Sequence, residues 1–161
     1  MLLRKTSVLA GIAALAFAIA PLSHAGAQMT TPFVKKQLYS PTANARADIA
    51  AALKQAKLQK KRVILDFGGD WCGDCFVLDL YMHQGANAAL LEKHFILVRI
   101  DIGHMDRNVD IARQYKVPIT KGVPALAVLD ANGKLLYSEK EKEFEHTTFS
   151  DVTKFLNRWK A

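Results

Sequence analysis

The spacing of apolar and polar residues along the chain predicts four strands. The apolar run 62–68 (RVILDFG) is typical of a central strand that is covered on both faces, and 95–102 (FILVRIDI) predicts a second buried strand. Segment 124–138 (PALAVLDANGKLLYS) carries two further apolar stretches around Asn132-Gly133, a dipeptide that favours a tight turn between antiparallel strands. The chain is therefore expected to contain two separate buried strands and one hairpin.

Helical periodicity is found between and around these strands. The pattern predicts helices over 43–59, 75–84 (CFVLDLYMHQ), 106–117 and 146–160, and the end of a helix near 90–94. The first of these helices has one apolar face, and the last is amphipathic with an inward-facing set. The apolar face of the first consists of Ile49, Ala52, Leu53 and Ala56, and the inward set of the last consists of Phe149, Val152, Phe155, Leu156 and Trp159.

The order of the predicted elements indicates an α/β fold. Because a helix joins the first two strands, those strands should be parallel, whereas the two strands of the hairpin should be antiparallel. The pattern predicts a mixed central sheet of about four strands flanked by helices.

The N-terminal 27 residues have the layout of a secretory signal peptide. Arg4 and Lys5 precede an apolar run at 8–20, and Ala25-Gly26-Ala27 provides a small-residue cleavage pattern before Gln28, with cleavage after Ala25 as the close alternative. An uncleaved membrane anchor is the other interpretation, although the run is shorter than the roughly 20 residues that span a bilayer. We expect a periplasmic or secreted protein.

The remaining chain has the length of one domain. Residues 28–42 contain two prolines and little periodicity, so we interpret them as an N-terminal arm or linker, and 43–161 as the domain. Removal of residues 1–27 lowers the formal net charge from +7 to +5, and much of the excess lies in 54–62 (KQAKLQKKR). These cations end a predicted helix, where they suit its dipole, so we expect no nucleic-acid partner.

The only two cysteines, Cys72 and Cys75, follow the first predicted strand. A cysteine at the beginning of a helix has a lowered pKa, because free N–H groups and the helix dipole favour the thiolate. Cys72 is then the attacking sulfur, and Cys75, one turn further, can resolve the product. A purely structural disulfide and half of a metal site are the alternatives, although a disulfide that closes so short a loop stabilises little.

The segment VILDFGGDWCGDC resembles the active-site segment of the thioredoxin family, and Val123-Pro124 matches the position of that family's cis-proline. The resemblance extends over about 62–138. It implies that Cys72 forms a mixed disulfide with a client protein, which Cys75 releases. It also implies that Asp66 is a buried carboxylate that moves the proton of the resolving thiol, and that Val123 and Pro124 bind an extended client.

Several residues depart from the thioredoxin pattern. Gly68 stands where thioredoxins usually have an aromatic residue, Asp74 replaces the proline of the motif, and Phe76 replaces a basic residue. Gly73 and Asp74 are expected to tune the redox potential. A carboxylate between the cysteines disfavours the thiolate, which favours a potential near thioredoxin's about −270 mV over a strong oxidant's about −120 mV.

The sequence and the resemblance together predict an exported thiol–disulfide oxidoreductase that reduces protein disulfides, with the cysteine pair as its redox group and no other cofactor or metal. The resemblance implies a client with a disulfide or thiol and a membrane protein as electron donor, and we expect a monomer. A disulfide oxidase or isomerase is the alternative, followed by a copper-delivery or client-binding module, for which His104 is the candidate additional ligand. Trp71 is expected to contact the client, and Asp70 to be solvent-exposed and to influence partner choice.

Overall fold

Residues 37–161, which the computed structural model describes, form four strands and five helices. In chain order these elements are α1 (Ala45–Gln59), β1 (Arg62–Gly68), α2 (Gly73–Met82), α3 (Gly85–His94), β2 (Phe95–Asp101), α4 (Val109–Gln114), β3 (Ala125–Leu129), β4 (Leu135–Ser138) and α5 (Phe149–Trp159). The described residues belong to the structural unit Lys35–Ala161. The predicted signal peptide, 1–27, and residues 28–36 lie outside the described residues.

The four strands form one mixed sheet in the order β2-β1-β3-β4. β1 pairs with β2 in parallel and with β3 antiparallel, and β3 pairs antiparallel with β4. The predicted mixed sheet, the parallel first pair and the hairpin are all confirmed. β1 is central, so its carboxyl end, where the cysteines follow, is held by a strand on each side.

Helices cover both faces of the sheet. Buried side chains of α1 and α4 pack on one face, and those of α2, α3 and α5 pack on the other. β1 is buried almost throughout, as its continuous apolar run predicted, and β3 is buried as well. The expectation that the second strand is also buried was wrong in part, because β2 lies at the edge of the sheet and four of its seven residues are only partly buried. In α5, Val152, Phe155 and Leu156 are buried as expected, but Phe149 is 37% exposed because it is the first residue of the helix, at its outer end.

The helical region after the cysteines differs from the prediction. It contains two helices, since α2 ends at Met82 and α3 begins at Gly85. Gly85 has a φ of +48°, a left-handed conformation that glycine adopts without steric cost, so the chain can turn there. Within residues 37–161, no helix combines the length and the hydrophobicity needed to cross a membrane.

The described part of the predicted N-terminal arm packs against the domain. Leu38 and Tyr39 are buried and form a small apolar cluster with the two cysteines. The Tyr39 side chain is 1% exposed, which is unusual for a residue in an arm. This end of the segment is therefore part of the cysteine site.

Candidate active site

The cysteine pair lies where the chain passes from β1 into α2. Cys72 is the N-cap residue of α2, and its Sγ accepts a hydrogen bond from the backbone N–H of Cys75 at 3.1 Å. The two cysteines form a disulfide with a Cα–Cα distance of 5.4 Å. Cys72 is 6% exposed and Cys75 is fully buried, so the sulfur of Cys72 is the accessible one, although less so than the sequence suggested. An N-cap sulfur faces free N–H groups, which stabilise a thiolate.

The peptide bond between Val123 and Pro124 is cis, as the thioredoxin resemblance predicted. It immediately precedes β3 and brings the carbonyl oxygen of Val123 to 3.3 Å from Cys72 Sγ. Val123 also packs against the cluster of Leu38, Tyr39 and the cysteines. Two segments that are 51 residues apart in sequence thus meet at the accessible sulfur.

Asp66 lies in β1 and is buried, with 2% of its surface exposed. Its Oδ2 accepts a hydrogen bond from the Tyr39 hydroxyl at 2.9 Å, whereas its Oδ1 has no hydrogen-bond partner among the described residues. Burial raises the pKa of Asp66 to about 7, while the Tyr39 hydrogen bond and the charge of Arg99 act in the opposite direction. The carboxyl group can therefore take up or release a proton near neutral pH.

A partly buried ion pair lies beside Asp66. Arg99 of β2 is opposite Asp66 in the strand register, and its guanidinium donates to the carboxylate of Asp79 in α2. His83 Nδ1 lies 3.2 Å from the same carboxylate. Arg99 thus neutralises Asp79 directly and acts on Asp66 only through its field, which leaves Asp66 free to titrate.

Gly68, at the end of β1, accommodates the Tyr39 ring. A Cβ atom added at Gly68 would lie 2.5 Å from Tyr39 Oη and 2.9 Å from Cys75 Sγ, both far inside van der Waals contact. Thioredoxins usually have an aromatic residue at the position of Gly68. In this protein the space beside Gly68 is filled instead by an aromatic ring from the N-terminal segment. Sequence reasoning missed Tyr39, because no pattern connects it with residues almost 30 positions away.

Asp70 holds the N-terminal segment in place. Its Oδ1 accepts hydrogen bonds from the backbone N–H groups of Leu38 at 2.9 Å and Tyr39 at 3.0 Å. The expectation that Asp70 is solvent-exposed was wrong, since it is half-buried by the segment that it binds. The sequence contained no signal for this contact.

Trp71 and Asp74 lie on the outside of the site. The Trp71 side chain is 46% exposed, its ring stacks on His104 at 5.6 Å, and its indole N–H donates to the Gly103 carbonyl. Asp74 is in the first turn of α2, and its Oδ1 lies 3.6 Å from Nδ1 of His146. Gly73, between the cysteines, has open space where a side chain would project. His104, the candidate copper ligand, is thus a stacking partner of Trp71.

Comparison with known proteins agrees with this architecture. The family described as thioredoxin-like matches residues 44–131. A crystal structure of a disulphide isomerase from Xylella fastidiosa Temecula1 is 33% identical, with a TM-score of 0.73, and the alignment covers 78% of this chain and 98% of that one. A thioredoxin from Thermus thermophilus is 18% identical over 68% of this chain and 81% of its own, with a TM-score of 0.52, which shows a shared fold.

Curated relatives include the thiol:disulfide interchange protein DsbD of Pseudomonas fluorescens, which is 29% identical over 121 residues and 73% of this chain. The DsbD of Vibrio cholerae is 26% identical over 65% of this chain. The chain spans only 19% and 17% of the length of these two proteins. With the family match, the fold and the disulfide taken together, the chain belongs to the thioredoxin-like family, as an enzyme of the thiol–disulfide oxidoreductase class.

Proposed function

We propose that this protein reduces disulfides of client proteins in an exported location, with Cys72 as nucleophile and Cys75 as resolving thiol. The observation that carries the proposal is the position of the pair: the accessible sulfur caps α2, and the buried one lies one turn below it. Such a sulfur has a depressed pKa and can attack at neutral pH.

The reaction has two exchange steps. The thiolate of Cys72 attacks one sulfur of the client disulfide, forming a mixed disulfide and releasing the other client sulfur as a thiolate. Cys75 then loses its proton to the carboxylate of Asp66, and its thiolate attacks Cys72 Sγ. The Cys72–Cys75 bond forms, the second client thiolate leaves, and two electrons have passed from the enzyme to the client. Solvent protonates the released client thiolates. In this scheme Asp66 is the general base, and its pKa of about 7 suits that task.

The client is proposed to bind in extended form beside the disulfide. Trp71 offers an exposed ring, and the carbonyl oxygen of Val123, which precedes the buried Pro124, lies 3.3 Å from Cys72 Sγ. The backbone of Val123 can hydrogen-bond to an extended peptide, which is how strand-like ligands gain affinity without strict sequence selection.

The reducing direction rests on Asp74. A carboxylate within the first turn of α2 makes the thiolate of Cys72 less stable. The reduced form of the pair is then less stable, so its reduction potential is lower. Equilibration in glutathione buffers measures that potential. A value near or below about −250 mV supports a reductase, and a value above about −150 mV overturns this direction.

Export and an external electron source belong to the same proposal. The pattern of residues 1–27 favours secretion, and a reductase outside the cytoplasm needs electrons from a membrane protein. The relatives named thiol:disulfide interchange protein are compatible with this arrangement. An N-terminus at Gln28 or Gly26 in protein recovered from the periplasm would support it, and retention of Met1 would contradict it.

Disulfide isomerisation is the second candidate, favoured by the relative from Xylella fastidiosa that is named disulphide isomerase. Isomerisation transfers no net electrons, so Cys72 alone can catalyse it, whereas reduction also needs Cys75. We expect the Cys75→Ser variant to accumulate a mixed disulfide and to lose insulin reduction at least about 100-fold, and Cys72→Ser to lose all exchange. A Cys75→Ser variant that still reshuffles a scrambled protein as fast as the unmodified enzyme would identify an isomerase.

A further inference from the structure

We propose that Tyr39, from the segment before α1, is a positioning residue for the resolving step: it holds the Asp66 carboxylate and closes the space above Cys75. This inference rests on the proposed function, in which Asp66 accepts the proton of Cys75. It adds to that scheme a component that lies outside the matched family region, which begins at residue 44.

The shapes of Tyr39 and Gly68 are complementary. Tyr39 Oη and Cys75 Sγ lie 2.5 Å and 2.9 Å from the point that a Gly68 Cβ would occupy. Any side chain at residue 68 would therefore collide with the Tyr39 ring in its present position. The buried sulfur of Cys75 borders the same space. The absence of a side chain at Gly68 is what allows a ring from a distant segment to reach the resolving cysteine.

Tyr39 is also oriented by hydrogen bonds at both ends. Its backbone N–H donates to Asp70 Oδ1, together with that of Leu38, and its hydroxyl donates to Asp66 Oδ2 at 2.9 Å. Burial holds the pKa of the Tyr39 phenol well above its usual value, so the hydroxyl remains a donor throughout the working pH range. A fixed donor to one carboxylate oxygen leaves Oδ1, which has no partner among the described residues, as the oxygen that can receive a proton.

Three ionisable groups surround Asp66. Tyr39 faces it from the N-terminal segment, Arg99 from β2, and Asp79 from α2, which also carries the resolving Cys75. Arg99 and Asp79 are paired with each other, and their charges shift the pKa of Asp66 in opposite directions. Tyr39 is the group bonded directly to the carboxylate, and its hydrogen bond favours the ionised form.

The step that Tyr39 influences is the second exchange. The proton of the Cys75 thiol passes to Asp66, the Cys75 thiolate attacks Cys72 Sγ, and the client sulfur leaves as a thiolate. Loss of the Tyr39 hydroxyl raises the pKa of Asp66, so less carboxylate is available as base at slightly acidic pH. The first exchange, made by Cys72 at the helix N-terminus, does not involve this group.

The reaction of the reduced protein with 5,5′-dithiobis(2-nitrobenzoate) separates the two exchanges, because each releases one coloured thiolate. Stopped-flow traces from pH 5 to 9 are compared for the unmodified protein, Tyr39→Phe and Tyr137→Phe. Tyr137→Phe is the matched control, since it also removes a hydroxyl that donates to a carboxylate, that of Glu143, away from the cysteines.

For Tyr39→Phe we expect the midpoint of the second phase to rise by at least about half a pH unit, and its rate at pH 6 to fall about 3- to 10-fold. The first phase should change less than twofold, and Tyr137→Phe should leave both phases unchanged. A second phase of Tyr39→Phe that superimposes on that of the unmodified protein would overturn the role of Tyr39. Release of only one coloured thiolate per molecule of the unmodified protein would instead overturn the proposed function.

A second measurement tests whether the Tyr39 ring shields Cys75. In the Cys72→Ser background Cys75 is a single buried thiol, and Gly68→Ala introduces the Cβ that collides with Tyr39. We expect Gly68→Ala to increase the rate at which iodoacetamide alkylates Cys75 by at least about 10-fold, with far-ultraviolet circular dichroism unchanged. Alkylation that remains as slow as in the parent would overturn the shielding by Tyr39.

Discussion

Two buried carboxyl residues lie on either side of Leu126 in β3, Asp66 in the neighbouring strand β1 and Glu139 directly after β4, and their surroundings differ. Asp66, in the central strand, and Glu139, directly after β4, are each 2% exposed, and burial raises the pKa of each to about 7. Both Glu139 oxygens accept backbone N–H groups, Oε2 from Leu126 at 3.0 Å and Oε1 from Glu143 at 2.7 Å. Asp66 accepts one hydroxyl and has one oxygen without a partner.

This difference shows that a raised pKa does not by itself identify a functional group. Glu139 uses both of its carboxylate oxygens to hold the loop after β4 against β3, which is a structural task. Asp66 retains one oxygen without a hydrogen-bond partner among the described residues. The Tyr39 hydroxyl that binds its other oxygen lies beside Gly68, as does the sulfur of the resolving Cys75. The pattern of hydrogen bonds, more than the pKa, separates the two roles.

The largest expected effect concerns catalysis. Asp66→Asn removes the general base without changing the size of the side chain, so we expect the second phase of the chromogenic reaction to slow by about 100-fold at pH 7. Glu139→Gln should slow it less than threefold. Equal effects of the two substitutions would mean that Asp66 has no special role in proton transfer.

The free energy of unfolding should change in opposite directions when Asp66 and Glu139 are replaced. The pKa of Asp66 in the folded protein, about 7, exceeds the ordinary value of 3.8, so between these pH values the native state binds more protons than the unfolded state. The contribution of Asp66 to stability is therefore fully present below about pH 4 and is lost as pH rises to about 7. We expect Asp66→Asn to increase the free energy of unfolding at pH 8 by about 2–4 kcal/mol.

Glu139→Ala, in contrast, leaves two backbone N–H groups without acceptors and should lower the free energy of unfolding by about 2 kcal/mol. Urea unfolding at pH 5 and pH 8 measures both variants. Hydrogen exchange of the Leu126 amide provides a local check, since this amide donates to Glu139. Destabilisation of the protein by Asp66→Asn at pH 8 would contradict the sign argument.

The smallest expected effect concerns the attachment of the N-terminal segment. Asp70→Ala removes the acceptor of two backbone N–H groups and should lower stability by about 1 kcal/mol while slowing the second phase about two- to threefold. Asp130→Ala is a matched control, because Asp130 Oδ1 also accepts two backbone N–H groups, in the hairpin turn. A similar slowing by Asp130→Ala would show that the effect follows general stability.

Several features of the site were predictable because they depend on local pattern. The apolar run of β1, followed by two cysteines at helical spacing, already places one sulfur at the beginning of a helix. The cis bond at Val123-Pro124 was predicted from the family resemblance, and the structure has it. The start of a separate helix, α3, at Gly85 was missed, because periodicity alone does not show that Gly85 adopts a left-handed conformation.

The sequence by itself determined the mixed sheet, the hairpin and the location of the cysteine pair, because hydrophobic period, turn residues and motif spacing are local properties of the chain. Only the tertiary structure decided what surrounds that pair. The ring of Tyr39 fills the space beside Gly68, Asp70 binds the segment that carries it, and Arg99 pairs with Asp79. These contacts join residues 20 to 32 positions apart, and they exist only because packing of the sheet and helices brings the segments together.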